Sequence, residues 1–452
     1  MKYLRLFLIV IIELNISNAQ NVYFGDLHIH SNYSSDAIGN IDTIYNKARH
    51  NAKFDFICIT DHDFSLTDSS WEVQKQITDK YYEPGRFVTL IGYEWTAHPV
   101  TRFGHRIILY RDNSGPLFRI ERNENTIEDL FTKLRKQEAI INIAHPDHGP
   151  YESDTSYKSY LQKNIEIFGS NKARFEYFGN SNAPPKQVNG HSVQNWLANG
   201  SIFGFLGVSD DHSGRPGIGG ITAVIADTLT RESLFDAINR RHVYATTGPK
   251  IKMSFSCNNK IMGDILYKNK DTTYHFEIMI SGTAELSLVE ILRNNTVLMD
   301  WIPRNTNQLT AGITVQDNDR SFYYLRITQK DGNMAWSSPI YLNIQRSELV
   351  TSVAELNNSF VLLNHYPNPF NSEVNIPYYV PDNLKNRDFI LRIFNVTGQI
   401  IYHTSNKNLN SGLQQFHWNG QTGSGEGAPS GIYYFIVSAG EYRKSGKMVL
   451  LK

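Results

Sequence analysis

Residues 22–30 read VYFGDLHIH, and residues 54–63 read FDFICITDHD. In each, a short apolar run finishes in a cluster of ionisable side chains. The same pattern recurs along the first half of the chain. Apolar runs predict further strands over 86–93, 139–144, 165–168, 203–209 and 220–226. They finish in Tyr93-Glu94, Ala144-His145-Pro146 and Ser209-Asp210-Asp211-His212, and a short strand begins at Gly104-His105. Helical periodicity falls between the runs, over 42–52, 71–82, 127–137, 188–198 and 231–240. Alternating strand and helix predicts an α/β domain with a parallel sheet, open or closed into a barrel. In such folds the working residues collect where the strands end.

Side chains two apart on a strand share a face, so His28 and His30 are expected to point into one site. A single histidine after a strand is more often an ordinary core or loop residue than a ligand. Five groups at five strand ends are better explained by a shared metal site. Eleven of the fifteen histidines lie between positions 28 and 242. The set is imidazole and carboxylate without thiolate, which suits Zn, Mn or Fe and is unlike a structural zinc site. The candidates outnumber the ligands of one tetrahedral ion, so two or three divalent ions are expected. Closely spaced ions activate a bridging water and clamp ester oxygens. Arg106 and Arg215 are candidates for gripping an anionic group, with a solvated loop or an ion pair as the alternative. His148 is a candidate proton donor. Asp26, Asp61 and Asp63 either orient an imidazole or serve as helix caps and turns.

These segments resemble the PHP (polymerase and histidinol phosphatase) superfamily. The residues that carry the resemblance are GDLHIHSNYSSDA at 25–37, FICITDHD at 56–63, the Glu of LIGYEWT at 90–96, GHRIILY at 104–110, AHP at 144–146 and SDDH at 209–212. GFLGVSDDHSGRPG with RRHVYATTGPKI is similar to a largely uncharacterised bacterial branch. The resemblance implies a distorted seven-stranded β/α (TIM-like) barrel over residues 20–249. It implies that His28, His30 and Asp210 hold one ion and that Glu94 bridges to a second held by His105 and His145. A third would rest on Asp36, His62 and His212. Asp36 stands where some members have His. The implied activity is metal-dependent ester hydrolysis, a phosphoesterase using a metal-bridged hydroxide, with Glu94, Asp210, Arg215 and His148 as its catalytic candidates. Carboxylic-ester or amide hydrolysis is the alternative on the same site, and a non-catalytic surface-binding protein is the alternative outside enzymes.

The 452 residues suggest two or three domains at about 150 residues each. Forty-four Lys+Arg balance 44 Asp+Glu, so no broad basic surface for nucleic acid is expected. Cys58 and Cys257 are too few for a disulfide framework. Residues 1–19 read as a secretory signal, with Lys2 and Arg5 before an apolar run and Ser17-Asn18-Ala19 before Gln20. No later stretch is apolar enough to cross a bilayer. After residue 250, period-two alternation predicts a β-sandwich over 250–346, followed by a linker at 347–359 and a second sandwich over 360–452. YPNPFN at 366–371, FNVTGQII at 394–401 and the terminal SGIYYF and KMVLLK resemble the C-terminal sorting domain of the type IX secretion system. An ordinary Ig-like accessory domain is the alternative. That resemblance implies export to the cell surface or medium, with the secretion machinery as partner and a small-molecule or polymeric ester as substrate.

Overall fold

The computed structural model describes residues 6–7, 21–96, 104–119, 127–134, 137–146, 161–169, 172–176, 192–268, 272–344, 360–362, 365, 368–381, 384–410 and 412–451. Of residues 1–19, the expected leader, only Leu6–Phe7 falls among them, as a two-residue strand. The linker at 347–359 and His148 lie outside the described residues. The chain divides into two units, Met1–Ile344 and Gln345–Lys452.

Among the described residues, the local elements expected in the first unit are present. Strands β1 (Val22–Asp26), β2 (Phe56–Ile59), β3 (Val88–Thr96), β4 (His105–Tyr110), β5 (Ala139–Ile143), β6 (Gln162–Gly169), β7 (Gly204–Gly207), β8 (Ile221–Ile225) and β9 (Val243–Thr246) carry the apolar runs. Helices α1 (Ile41–His50), α2 (Asp68–Tyr81), α3 (Ile127–Leu134), α4 (Val193–Ala198) and α5 (Arg231–Asn239) lie among them. Helix α1 starts where the Asn40 side chain accepts from the Asp42 amide, and it buries Ile41, Ile44, Tyr45 and Ala48 along one stripe. A reciprocal Thr67–Ser70 capping box opens α2.

Their assembly overturns the expected α/β class and the distorted seven-stranded β/α barrel, while β-sandwich modules are present as expected. Strand accounts for 46% of the structure and helix for 13%. The strands run in the order β9-β8-β1-β2-β3-β4-β5-β6, with β7 on the far side of β6. Half of the eight pairings are antiparallel: β9 with β8, β8 with β1, β3 with β4, and β4 with β5. A β/α barrel needs parallel neighbours throughout, each joined through a covering helix. Thr96 pairs directly with His105, so the consecutive strands β3 and β4 run antiparallel as a hairpin.

The sheet also continues past residue 250. Strand β9 pairs with Met334–Ser337, and that strand pairs with Ser321–Gln329. One 16-stranded sheet thus runs from the histidine-bearing segment into the later one. Lys252–Cys257, Thr273–Ser281 and Gln308–Gln316 form the body of a second, five-stranded sheet. A single hydrophobic cluster contains Phe24 and Tyr244 together with Phe255, Phe276 and Tyr323. The second unit consists of a three-stranded and a four-stranded antiparallel sheet around Tyr378, Phe389, Phe416, Trp418 and Phe435.

Candidate metal centre

Past the end of β1 the chain is held by isolated backbone hydrogen bonds. The Asp210 amide donates to the His28 carbonyl at 2.9 Å, and the His30 amide donates to Asp211 at 3.1 Å. Likewise the Glu94 amide donates to the Asp61 carbonyl at 3.1 Å, and Asp63 donates back to Glu94 at 2.9 Å. These rungs align the tips of neighbouring strands, so alternate side chains converge from several segments. Leu27 and Ile29 enter hydrophobic clusters, while His28 and His30 share the other face, fully buried. Asp210 has φ of 50°, a left-handed conformation that Asp tolerates better than most residues.

Glu94 is the hub. Its Oε1 lies 2.6 Å from His105 Nδ1 and 3.1 Å from His145 Nε2. Its Oε2 lies 3.3 Å from His28 Nε2, 3.2 Å from His30 Nε2 and 3.1 Å from His62 Nδ1. Asp210 Oδ1 adds contacts of 3.2 and 3.3 Å to His28 and His30 Nε2. Asp36 stands at the open side, half-exposed, with Oδ2 3.4 Å from His62 Nε2 and 3.5 Å from His212 Nε2. The nine expected ligand residues, His28, His30, Asp36, His62, Glu94, His105, His145, Asp210 and His212, are therefore brought together.

The other candidates fare differently. Arg106 is buried behind the site, with Nε on Gln162 Oε1 at 2.9 Å and Nη1 on the His105 carbonyl at 2.9 Å. Arg215 is exposed and donates from Nε to Ser213 Oγ at 2.5 Å; its described contacts are to its own loop, not to the cluster. Asp26 accepts from the His28 and Ser209 amides and from Ser209 Oγ, and burial pushes its carboxyl up to about 7. Asp61 accepts from the amides and hydroxyls of Ser31 and Ser34, and Asp63 from the Thr96 amide. The described hydrogen bonds of these three carboxylates hold backbone turns in place.

Two residues absent from the sequence reading do touch imidazoles. Glu166, on β6 and fully buried, lies 2.8 Å from His28 Nδ1. Ser34 Oγ lies 3.0 Å from His30 Nδ1 and donates to Asp61 at 2.8 Å. Glu166 had a signal, an ionisable residue between Ile165 and Ile167 in an otherwise apolar run. Ser34 had none.

The donor set fits divalent cations. The Nε2 atoms of His28 and His30 face each other at 3.2 Å. Two imidazole nitrogens on one ion, each at about 2.0–2.1 Å, stand about 3.0–3.4 Å apart. Buried His62 Nδ1 and Asp210 Oδ1 have no hydrogen-bond partner among the described residues. Four overlapping triads place ligand atoms within 4.8 Å of one another: His30/His62/His212, His28/His30/Asp210, His28/Glu94/His145 and His62/Glu94/His105. Electrostatics points the same way. Burial disfavours a charged imidazole, yet Asp210, Glu94 and Glu166 outweigh it and hold His28 well above the usual histidine range. The same balance raises His30 to about 9, through Asp210 and Glu94. At His62 burial prevails and lowers it to about 4. Buried carboxylates at the centre thus create a strong demand for positive charge.

A family model described as "Protein of unknown function (DUF3604)" matches residues 40–153 and 170–277. An uncharacterized protein of Chlamydia pneumoniae is 28% identical over 364 residues, covering 72% of this chain and 58% of the relative. One from Chlamydia muridarum is 26% identical over 349 residues, covering 68% and 55%. The chain therefore spans little more than half the length of these curated relatives. Among solved structures, latent PorU from Porphyromonas gingivalis has 9% identity and a TM-score of 0.19 over 51% of this chain and 24% of that one. The fibronectin(III)-like modules of Clostridium thermocellum CbhA have 14% identity and a TM-score of 0.16, over 43% and 93%. At such scores neither likeness bears on the fold. A second family model, the CHU_C Type IX secretion signal domain, matches residues 367–450. The chain thus carries a C-terminal type IX secretion signal domain and is a protein destined for secretion or the cell surface.

Proposed function

We propose that this exported protein is a multinuclear metal-dependent hydrolase, with phosphoesters as its substrate class. The observation that carries the reading is the convergence of five imidazoles on the buried carboxylate of Glu94, with Asp210 beside them. The likeness of the strand-end motifs to PHP-superfamily hydrolases supports it. Two or three ions of Zn, Mn or Fe bound there would supply Lewis acidity at neutral pH and neutralise charge developing on ester oxygens.

The chain's own residues have separable tasks. Glu94 and Asp210 supply buried negative charge that attracts and spaces the cations. His28, His30 and His145 close the inner side, where burial keeps bulk water out. Asp36 and His212 are partly exposed, with side-chain accessibilities of 52% and 33%, and form the side from which a substrate enters.

Metal analysis of the purified protein, followed by phosphatase and esterase panels, tests the reading. Two or three equivalents of metal and turnover of phosphoesters are expected. His28→Ala/His30→Ala should lower kcat/KM by about 10²–10⁴-fold, the loss expected when several kcal/mol of charge stabilisation disappears, with the circular dichroism spectrum retained. Full activity in that double variant would remove the site from consideration. A preference for carboxylic esters would shift the substrate class and leave the centre in place.

A further inference from the structure

We propose that Glu166 is a positioning residue that locks His28 in its metal-binding tautomer and ties it to His145. One carboxylate would then set two arms of the centre. The inference rests on reading the cluster as a metal centre.

Glu166 comes from the middle of β6, distant in sequence from both partners, and is fully buried. Its two oxygens have different duties. Oε1 lies 2.8 Å from His28 Nδ1, placed to accept a hydrogen bond from its N–H, and Oε2 accepts from the backbone N–H of His145 at 2.6 Å. An imidazole that donates from Nδ1 presents the lone pair of Nε2. In His28 that Nε2 faces Glu94, Asp210 and His30 Nε2, where the ligand atoms converge. The second oxygen fixes the backbone from which the His145 ring reaches Glu94 Oε1. With no solvent access at Glu166, water cannot easily replace either hydrogen bond.

Glutamine at this position cannot do both. Its single oxygen can fill only one of the two carboxylate-oxygen positions, and its NH2 must then confront the donor at the other. If the oxygen serves the His145 amide, the NH2 faces His28 Nδ1. That nitrogen must then become an acceptor, which puts the proton on Nε2 and blocks ligation. If the oxygen serves His28, the His145 backbone loses its anchor. Either way the set of ligands is impaired while size and burial are nearly conserved. Glu176 supplies a control. It is also fully buried and accepts from Tyr324 Oη, Arg326 Nη1 and Trp336 Nε1, but it is not part of the cluster.

The test is a chelator-competed Zn²⁺ titration of the full-length protein and of its Glu166→Gln and Glu176→Gln variants, beside their unfolding curves. Glu166→Gln should weaken Zn²⁺ binding by about 10–100-fold, the usual effect of removing a group that orients a ligand. Glu176→Gln should lower the unfolding midpoint and leave Zn²⁺ affinity within twofold. Equal affinity and stoichiometry in Glu166→Gln and wild type would overturn the proposal while leaving the metal reading intact. A wild-type protein that binds no Zn²⁺, Mn²⁺ or Fe²⁺ would overturn both. Should Glu166→Gln fail to fold, ¹⁵N-histidine NMR of the Zn²⁺-loaded wild type decides. A protonated Nδ1 and a metal-shifted Nε2 on His28 are expected, and a metal-bound or unprotonated Nδ1 overturns the assignment.

Discussion

At the scale of single residues, the fully buried Glu94 meets five imidazole nitrogens within 3.3 Å. A carboxylate so placed is costly unless cations accompany it, because desolvation of a charge is repaid only by close opposite charge. The residue types and their places at strand ends were legible in the sequence, since an ionisable cluster after an apolar run is unusual there. The residues that orient the rings were not. Glu166 and His28 are 138 positions apart, and nothing local to either marks the other. Elsewhere in the same unit, Asp317 shows how a buried carboxylate is held by a fixed partner. Burial works against its ionisation, but Arg293, bound through Nε and Nη2 at 2.8 and 2.9 Å, and Tyr323 hold it below the usual carboxylate range. The folded carboxyl ionises at lower pH than the unfolded one. Its stabilisation is therefore complete above the unfolded value of about 4 and fades as the pH falls through the folded value. Asp317→Asn should cost about 1–3 kcal/mol at pH 7, the range for an orphaned buried partner. The gap to wild type should narrow in unfolding curves recorded below about pH 4. A gap that is constant with pH would exclude the ion pair as its source.

At the scale of elements, short apolar runs announce strands but not the direction of their neighbours. β3 and β4 are both apolar, and only the pairing of Thr96 with His105 makes them a hairpin. The same ambiguity hid the antiparallel joins of β8 to β1 and of β9 to β8. Close approach between β1 and β2 also sets a constraint that only the structure reveals. A Cβ added to Gly25 would lie 2.0 Å from the Phe56 carbonyl oxygen. Gly25→Ala must therefore push apart the strands that end in His28 and in His62. We expect a loss of about 3 kcal/mol in denaturant unfolding, at the upper end of overpacking costs, together with weaker Zn²⁺ uptake. An alanine variant as stable as wild type would mean that β1 and β2 separate more easily than this contact implies.

At the scale of the whole molecule, the first unit houses the candidate centre and the second houses the secretion signal. Among the described residues no helix is long and apolar enough to cross a membrane. Removal of residues 360–452 should leave the first unit inside the outer membrane of a type IX-competent host. Fractionation and immunoblotting would detect this, with Zn²⁺ binding of the truncated chain unchanged. Secretion of the truncated chain at the wild-type level would show that another segment carries the address. The ionisable motifs at the strand ends and the sorting segment were determined by the sequence alone. They depend on residue type and short spacing, which a linear chain displays directly. Strand direction, the continuous 16-stranded sheet and the brace through Glu166 were decided only by the tertiary structure. Those features depend on which distant segments share hydrogen bonds and a core, and apolar runs of similar composition do not encode that choice locally.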